Sequence, residues 1–240
     1  MKKKPINSLF SVLVALASLP LIFSSCLKDD DVEFPDAAVV TFIHGSPKTP
    51  RLDIKLDENR LNIADLSYTK YWNNQNAYIG NRTLSVYRRG ESTAILTKAI
   101  SLEKDKHYSV FLVDSASKID AVLLQNSSRP AAQDSVRIKF ANMSPDVPKM
   151  DFYIKGQSTP FATNVSYKEA ADFVSVKAGY DQIIEVKEAG QSVVLAASLP
   201  MNLTHRNIYT VWTSGFRGIP SGEGQIVISN VKHTGSYYWY

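Results

Sequence analysis

Serine and aspartate, with a histidine in one case, are side chains from which hydrolytic and polar binding sites are built, and they stand together in two stretches of the chain. The first reads Phe42-Ile43-His44-Gly45-Ser46-Pro47-Lys48-Thr49-Pro50-Arg51-Leu52-Asp53. The second reads Phe140-Ala141-Asn142-Met143-Ser144-Pro145-Asp146-Val147-Pro148-Lys149-Met150-Asp151. A Ser–His pair beside a carboxylate would suit acyl transfer, but the local pattern argues against it. Ser46 precedes a proline in a rigid turn rather than sitting on a strand-to-helix bend. Asn142 stands where His44 stands, so the pairing exists in one stretch only. Two prolines three residues apart fix φ through a tight crossing, and Ser and Asp side chains readily hydrogen-bond nearby backbone. Ser46, Pro47, Pro50 and Asp53, with Ser144, Pro145, Pro148 and Asp151, are therefore read as a structural motif. Leu52, Ile54 and Leu56 share one strand face, as do Met150, Phe152 and Ile154, which puts each aspartate on the opposite face. There it serves as a turn anchor or a binding contact, and the residue types favour the anchor.

No other constellation predicts catalysis, a metal or a cofactor. The four histidines (His44, His107, His205, His233) lack His-x-x-x-His spacing and cysteine partners. Gly215 to Gly224 is glycine-rich but lacks the Gly-Lys-Ser/Thr and following helix of a phosphate loop, so it is read as a long hairpin. The candidate binding residues are Tyr71, Trp72, Asn73 and Asn74, in an aromatic and Asn-rich segment missing from the second copy. They are read as a loop held by a rigid scaffold, suited to sugar faces. The competing reading places these rings, and those of Tyr237-Tyr238-Trp239-Tyr240, in the cores or between the domains.

Short alternating strands must position these residues. Ala38 to Ile43, Leu52 to Leu56, Thr83 to Tyr87, Thr93 to Ile100, Tyr108 to Val113 and Ala121 to Leu124 are β-rich, alternating or apolar runs separated by turn residues. The same order returns from Val136 onward. The offset between copies is 98 at the motif and 104 at the last strand, growing only at turns, where length changes are tolerated. The chain is thus expected to be all-β, with two tandem Ig-like antiparallel sandwiches of roughly seven strands each. The expected boundaries are 38–126 and 135–240, joined by a Pro/Ser/Ala-rich linker at 127–134.

The N-terminus reads as an address. Residues 1–25 combine Lys2 to Lys4, an apolar run from Leu9 to Phe23 and small Ser24-Ser25, the three parts of a secretory signal. That run is shorter than the roughly 20 residues a permanent span needs. Cys26, the single cysteine, follows in a context that resembles a lipoprotein acylation site, although Phe23 stands where the common pattern has Leu. Leu27-Lys28-Asp29-Asp30-Asp31 resembles a surface-export signal at the head of a tether at 26–37. These readings imply a membrane partner through a lipid anchor at Cys26, in the outer membrane with the chain exposed at the cell surface. Three of the 27 basic residues lie in the signal, leaving 24 against 23 acidic ones. A mature charge near +1 predicts no nucleic-acid partner.

The repeated F-x-x-x-S-P-x-x-P-x-x-D, the following alternating strand, the segments Leu66-Ser67-Tyr68 and Val165-Ser166-Tyr167, and the late Tyr108-Ser109-Val110 and Tyr209-Thr210-Val211 together resemble the domain of unknown function 4397 family. The resemblance spans nearly all of 38–231 and implies tandem β-sandwich copies in exported, lipid-anchored bacterial proteins. It carries no activity over. Asp114-Ser115-Ala116 and Asp134-Ser135-Val136 resemble bacterial O-glycosylation acceptors at Ser115 and Ser135. The expected role is non-catalytic, an envelope module for a glycan or protein partner. The alternative is an accessory subunit of a polysaccharide-uptake or enzyme assembly, and a hydrolase is the third reading.

Overall fold

A computed structural model describes residues 35–61, 65–126 and 131–233. The signal segment, Cys26, most of the tether, residues 127–130 and the C-terminal aromatics lie outside these. No helix among the described residues is long and apolar enough to cross a membrane.

The described chain is all-β. In the first copy β1 (Ala37–His44), β2 (Leu52–Leu56), β3 (Asn59–Arg60), β4 (Tyr71–Tyr78), β5 (Gly80–Arg88), β6 (Ala94–Leu102), β7 (His107–Val113) and β8 (Asp120–Gln125) form two four-stranded sheets. Their orders are β4-β1-β7-β8 and β3-β2-β5-β6. The second copy contains β9 (Ser135–Asn142), β10 (Lys149–Ile154), β11 (Ala162–Ser166), β12 (Glu169–Ala170), β13 (Val174–Lys177), β14 (Gly179–Gln182), β15 (Ile184–Glu188), β16 (Val194–Ala197), β17 (Met201–Leu203), β18 (Ile208–Ser214) and β19 (Val227–His233). Here the sheets are β12-β9-β18-β19, with β13 also on β9, and β11-β10-β15-β16.

The copies share one two-sheet plan, but the second is cut into more pieces. The first copy's β5–β6 hairpin runs unbroken from the Gly80–Leu102 pair to the Tyr87–Ala94 pair, apart from one bulge. Its counterpart is split into β15–β16 and a separate β14–β17 ribbon: buried Ser198 still bonds Ile184 through its N–H and its hydroxyl, but the exposed Leu199-Pro200 step that follows interrupts the ladder, and Pro200 has no N–H to give it.

Most pairs are antiparallel, with one exception in each copy. Val39 to His44 pairs in parallel with His107 to Leu112, and Arg137 to Asn142 with Ile208 to Thr213. Parallel partners need a long crossover, and the whole of each copy's second sheet lies in that crossover.

Three apolar clusters alternate with the sheets. One fills the first sandwich around Phe42, Ile54, Leu84 and Val110, and another the second around Phe140, Phe152, Val186 and Val211. The third lies between the copies and contains Ile43, Phe111, Val113, Ala141, Met143, Trp212 and Val231. Among the described residues from Asp36 onward, the four larger sheets are therefore stacked. The central strands of the two middle sheets are covered on both faces, which is why every residue of β18 is buried and why β1 and β7 are half-buried at their first residue and buried at all the others. Strands buried on both sides read as continuous apolar runs rather than alternating ones.

Candidate functional site

The motif turns come first, because they hold the residue types with chemical potential. In the first copy His44 is fully buried. Its Nε2–H donates to the Pro50 carbonyl at 3.1 Å, and its Nδ1 accepts the Ser46 backbone N–H at 3.3 Å. These two bonds select the Nε2–H tautomer. They also leave the imidazole no contact with the Ser46 hydroxyl, which instead meets Thr49 Oγ1 and donates to the Asp114 carbonyl. Burial pushes the His44 pKa down to about 4. The geometry is that of a turn lock, with no base in reach of a nucleophile.

Asn142 makes the same two bonds with an amide. Its Nδ2 donates to Val147 O at 2.9 Å and to Val165 O at 3.1 Å, while its Oδ1 accepts the Ser144 N–H at 3.0 Å. Ser144 Oγ is buried without a hydrogen-bond partner.

The motif aspartates also repeat a role. Asp53 is 8% exposed and Asp151 is 7% exposed. Each accepts, at 3.3 Å, the backbone N–H of the glycine in the neighbouring hairpin turn, Gly90 for Asp53 and Gly190 for Asp151. Those glycines have φ of 81° and 77°, a conformation that favours glycine. Asp53 further pairs with Arg60 at 2.8 Å and Arg89 at 3.4 Å, and Asp151 accepts the Asn164 N–H at 2.8 Å. These carboxylates sit on the outer face of their strands, as the alternation predicts, yet they are covered by the turns they hold.

The Tyr71–Asn74 segment departs from expectation. It is strand β4, paired with β1 from Ala37–Tyr78 to Ile43–Tyr71, not a loop. The asparagines allow this. The ladder slips between Val40 and Phe42, and Asn74 lies there at φ 53°, a left-handed conformation that Asn tolerates better than most residues. Asn73 accepts from Thr41 Oγ1 at 2.6 Å and donates to Lys232 O of the other copy at 3.1 Å. Trp72 is half-buried, and Tyr71, 42% exposed, meets the Trp212 ring edge-on at 6.5 Å. Asn73 and Tyr71 thus join the copies, and the exposed aromatic surface of β4 is reduced to Tyr71 and Tyr78.

The contact between copies uses Tyr71 and Tyr68, as the competing reading of the aromatic residues has it, together with Phe111 and Trp212, which the sequence does not single out. Phe111 and Trp212 occupy equivalent positions, and their rings meet edge-to-face at 5.7 Å. Tyr68 Oη lies 3.1 Å from Ser214 Oγ, at the end of the other copy's β18. Its equivalent, Tyr167, stands beside Asp114 and Asp120 at the end of β7 and start of β8, and burial followed by those two carboxylates raises its phenol pKa. Equivalent residues therefore face each other about a local two-fold axis. The available signal was the lack of alternation in Tyr108 to Val113 and Tyr209 to Ser214, which marks strands covered on both sides.

Lys168 reaches across the same junction to Asp120 at 2.7 Å, opposite Lys98 at 2.8 Å. Burial alone would raise the Asp120 carboxyl. Hydrogen bonds from Lys168, Lys98 and the Ala121 N–H outweigh it and hold the pKa down at about 2. The three side chains rim a shallow cleft of about 370 Å³, floored by Ile100, Val122 and Leu123. On the other side of the junction His233 meets Thr210 Oγ1 at 2.9 Å, and burial, then His107 and Lys139, push its pKa down to about 4.

The Gly215–Gly224 segment is tied to both motif turns. Asp146 accepts the N–H groups of Arg217 at 2.8 Å and Gly218 at 3.3 Å, and the Lys48 side chain lies against Gly224. Ser115 follows β7 in a turn, half-buried, and its N–H donates to Asp114 Oδ1. Ser135 opens β9 and its hydroxyl donates to Ala132 O at 3.3 Å. Among the described residues no group of His, Cys, Asp and Glu is arranged to hold a metal ion.

No curated protein matches the chain. Among solved structures, one described as alpha-glucan recognition by family 41 carbohydrate-binding modules from streptococcal virulence factors is 12% identical, with 84% of this chain and 99% of that one covered at a TM-score of 0.26. The fimbrial anchor protein Mfa2 from Porphyromonas gingivalis is 12% identical, with 83% and 98% covered at 0.27. A family 26 carbohydrate-binding module from Eubacterium rectale in complex with maltoheptaose is 9% identical, with 85% and 100% covered at 0.26. The model of the domain of unknown function DUF4397 matches residues 38–153 and 139–221. With most of its length matched in two segments, this chain belongs to the DUF4397 family.

Proposed function

We propose that the chain is a lipid-anchored envelope protein with a non-catalytic binding or structural role at the cell surface. One observation carries this reading: the polar groups that would have to do chemistry are committed to the fold. His44, Ser46, Asp53, Asn142 and Asp151 each hydrogen-bond the backbone of a turn. A carboxylate or imidazole held this way contributes rigidity, and recognition is left to the outer surface. Tyr71 and Tyr78 on β4 supply aromatic area there, of a kind suited to a sugar face or a protein partner.

Anchoring at Cys26 in the outer membrane is supported by the basic head, apolar run and small residues before the cysteine. Exposure at the cell surface is supported by Lys28 and the aspartates after it. The proposed organisation is a signal at 1–25, a tether at 26–37, and copies at 38–126 and 135–240. Fractionation and protease shaving of cells test the address. The chain should leave the membrane fraction in a Cys26→Ala variant and be cleaved on intact cells. A glycan array and a pull-down test the role. One class of glycan or one envelope protein should be retained, at least tenfold more weakly by Tyr71→Ala or Tyr78→Ala. Retention of nothing, together with an intact envelope on deletion, would sink the binding reading. Glycans at Ser115 and Ser135 are proposed on their Asp-Ser-apolar contexts, and a gel shift lost in Ser115→Ala and Ser135→Ala checks them.

A further inference from the structure

We infer that β16 is a docking edge for a second copy of this chain, pairing antiparallel with its own counterpart. β16 ends the β11-β10-β15-β16 sheet, with β15 as its ladder partner on one side. β19 runs past it in the facing sheet but makes no ladder with it. An open edge presents unpaired N–H and C=O groups to any other strand, and proteins blunt such edges with charge, Pro or short length. Every other edge strand among the described residues carries a charged or amide side chain, for example Arg60 in β3, Lys98 in β6, Asn164 in β11 and Lys232 in β19. The strand β16, Val-Leu-Ala-Ala, has none, and the run from Gln191 to Thr204 around it contains no charged residue.

The run is also exposed. Val193 is 68% exposed, Val194 42% and Leu199 84%. The first copy shows how the same edge is protected. Lys98 stands at the position of Ser198 and is tied over the seam to Asp120 and to the Ala121 carbonyl.

The occupant follows from charge. A charge-free apolar edge accepts a strand that is itself charge-free and apolar, and a second β16 meets that requirement without like-charge repulsion. Antiparallel pairing of one strand with itself is isologous, so the contact closes as a two-fold dimer instead of propagating. It would join two four-stranded sheets into one of eight strands and satisfy both edges at once.

Sedimentation velocity on the full chain carrying Cys26→Ser, which excludes acyl-chain and disulfide association, tests this. The expected result is a reversible dimer at tens of micromolar. Its dissociation constant should rise at least tenfold with Val194→Lys, with Thr97→Lys in the first copy as a control that leaves it unchanged. Leu199→Glu, at the most exposed position, gives a second reading if Val194→Lys loses its β-sheet circular dichroism. A monomer at every concentration overturns the proposal, as does a dimer that neither substitution weakens. A monomer that captures a synthetic strand of a different apolar sequence overturns it too, because the edge then serves a foreign strand.

Discussion

The two motif turns solve one problem with different side chains. In both, a buried side chain accepts the N–H of the serine two residues on and donates to a carbonyl beyond the first proline. The second copy uses the amide of Asn142, and the first uses the imidazole of His44. An imidazole presents an acceptor and a donor in nearly the arrangement of an amide, so the exchange preserves geometry. It does not preserve the response to acid. Asn142 has no proton to gain, whereas a proton on Nδ1 of His44 would replace an acceptor with a donor facing the Ser46 N–H. Two copies of one fold therefore differ in a property that their backbones conceal.

Where the copies meet, the comparison can be broken outright. Trp212→Ala should cost about 3–5 kcal/mol, the range for removing a large buried aromatic, and Phe111→Ala a similar amount at the equivalent position. Urea denaturation followed by fluorescence and circular dichroism measures both. A loss under about 1 kcal/mol, or two separated transitions, would mean that each sandwich is stable without the shared layer.

The second prediction concerns acid. The folded pKa of His44, about 4, lies below its unfolded value of 6.5, so the unfolded chain takes up the proton first. Its contribution is fully present above pH 6.5, declines as the pH falls from 6.5 to 4, and levels off below that. Integrated over this window it amounts to about 3 kcal/mol. His233 adds a loss of the same sign and window. In His44→Asn, which writes the second copy's solution into the first, the drop in unfolding free energy between pH 7 and pH 4 should shrink by roughly half of what the two histidines contribute. An unchanged pH profile would show that His44 is not held neutral by its turn.

Smaller effects come from the aspartates. Asp53→Ala and Asp151→Ala should each cost about 1 kcal/mol, the usual net value of a hydrogen bond, and should loosen the Gly90 and Gly190 turns equally. Faster amide exchange at both glycines is the signature, and a change at one alone would mean that the shared contact differs in strength. At the bottom of the scale, Lys98→Ala should cost under about 1 kcal/mol, because partly exposed ion pairs contribute little.

Much of this architecture was legible beforehand. The duplication, the strand order and the two sandwiches follow from in-register repeats and period-2 alternation. What stayed hidden depends on pairing between distant strands. Nothing local distinguishes the parallel partnership of β1 with β7 from an antiparallel one. The segment Tyr71 to Asn76 reads as a loop because amides are depleted in strands, and only the bulge at Asn74 explains them. A third case is a swapped pair. Lys55 lies over Tyr87 at 5.2 Å, and in the second copy Lys187 lies over Tyr153 at 4.4 Å. Lysine and tyrosine have exchanged strands, so each position alone looks unrelated while the contact persists. Turn glycines and motif aspartates were visible singly, and their hydrogen bond to each other was not.

The facing of Phe111 by Trp212 has one more consequence. A contact in which each partner offers the same patch can be made by two separate molecules as well as by two halves of one chain. The peptide that joins the halves then works chiefly by raising the effective concentration of one in the presence of the other. Single copies expressed apart and mixed should find each other, more weakly and in proportion to their concentration. Duplication would in that case have made permanent a meeting that was already chemically available.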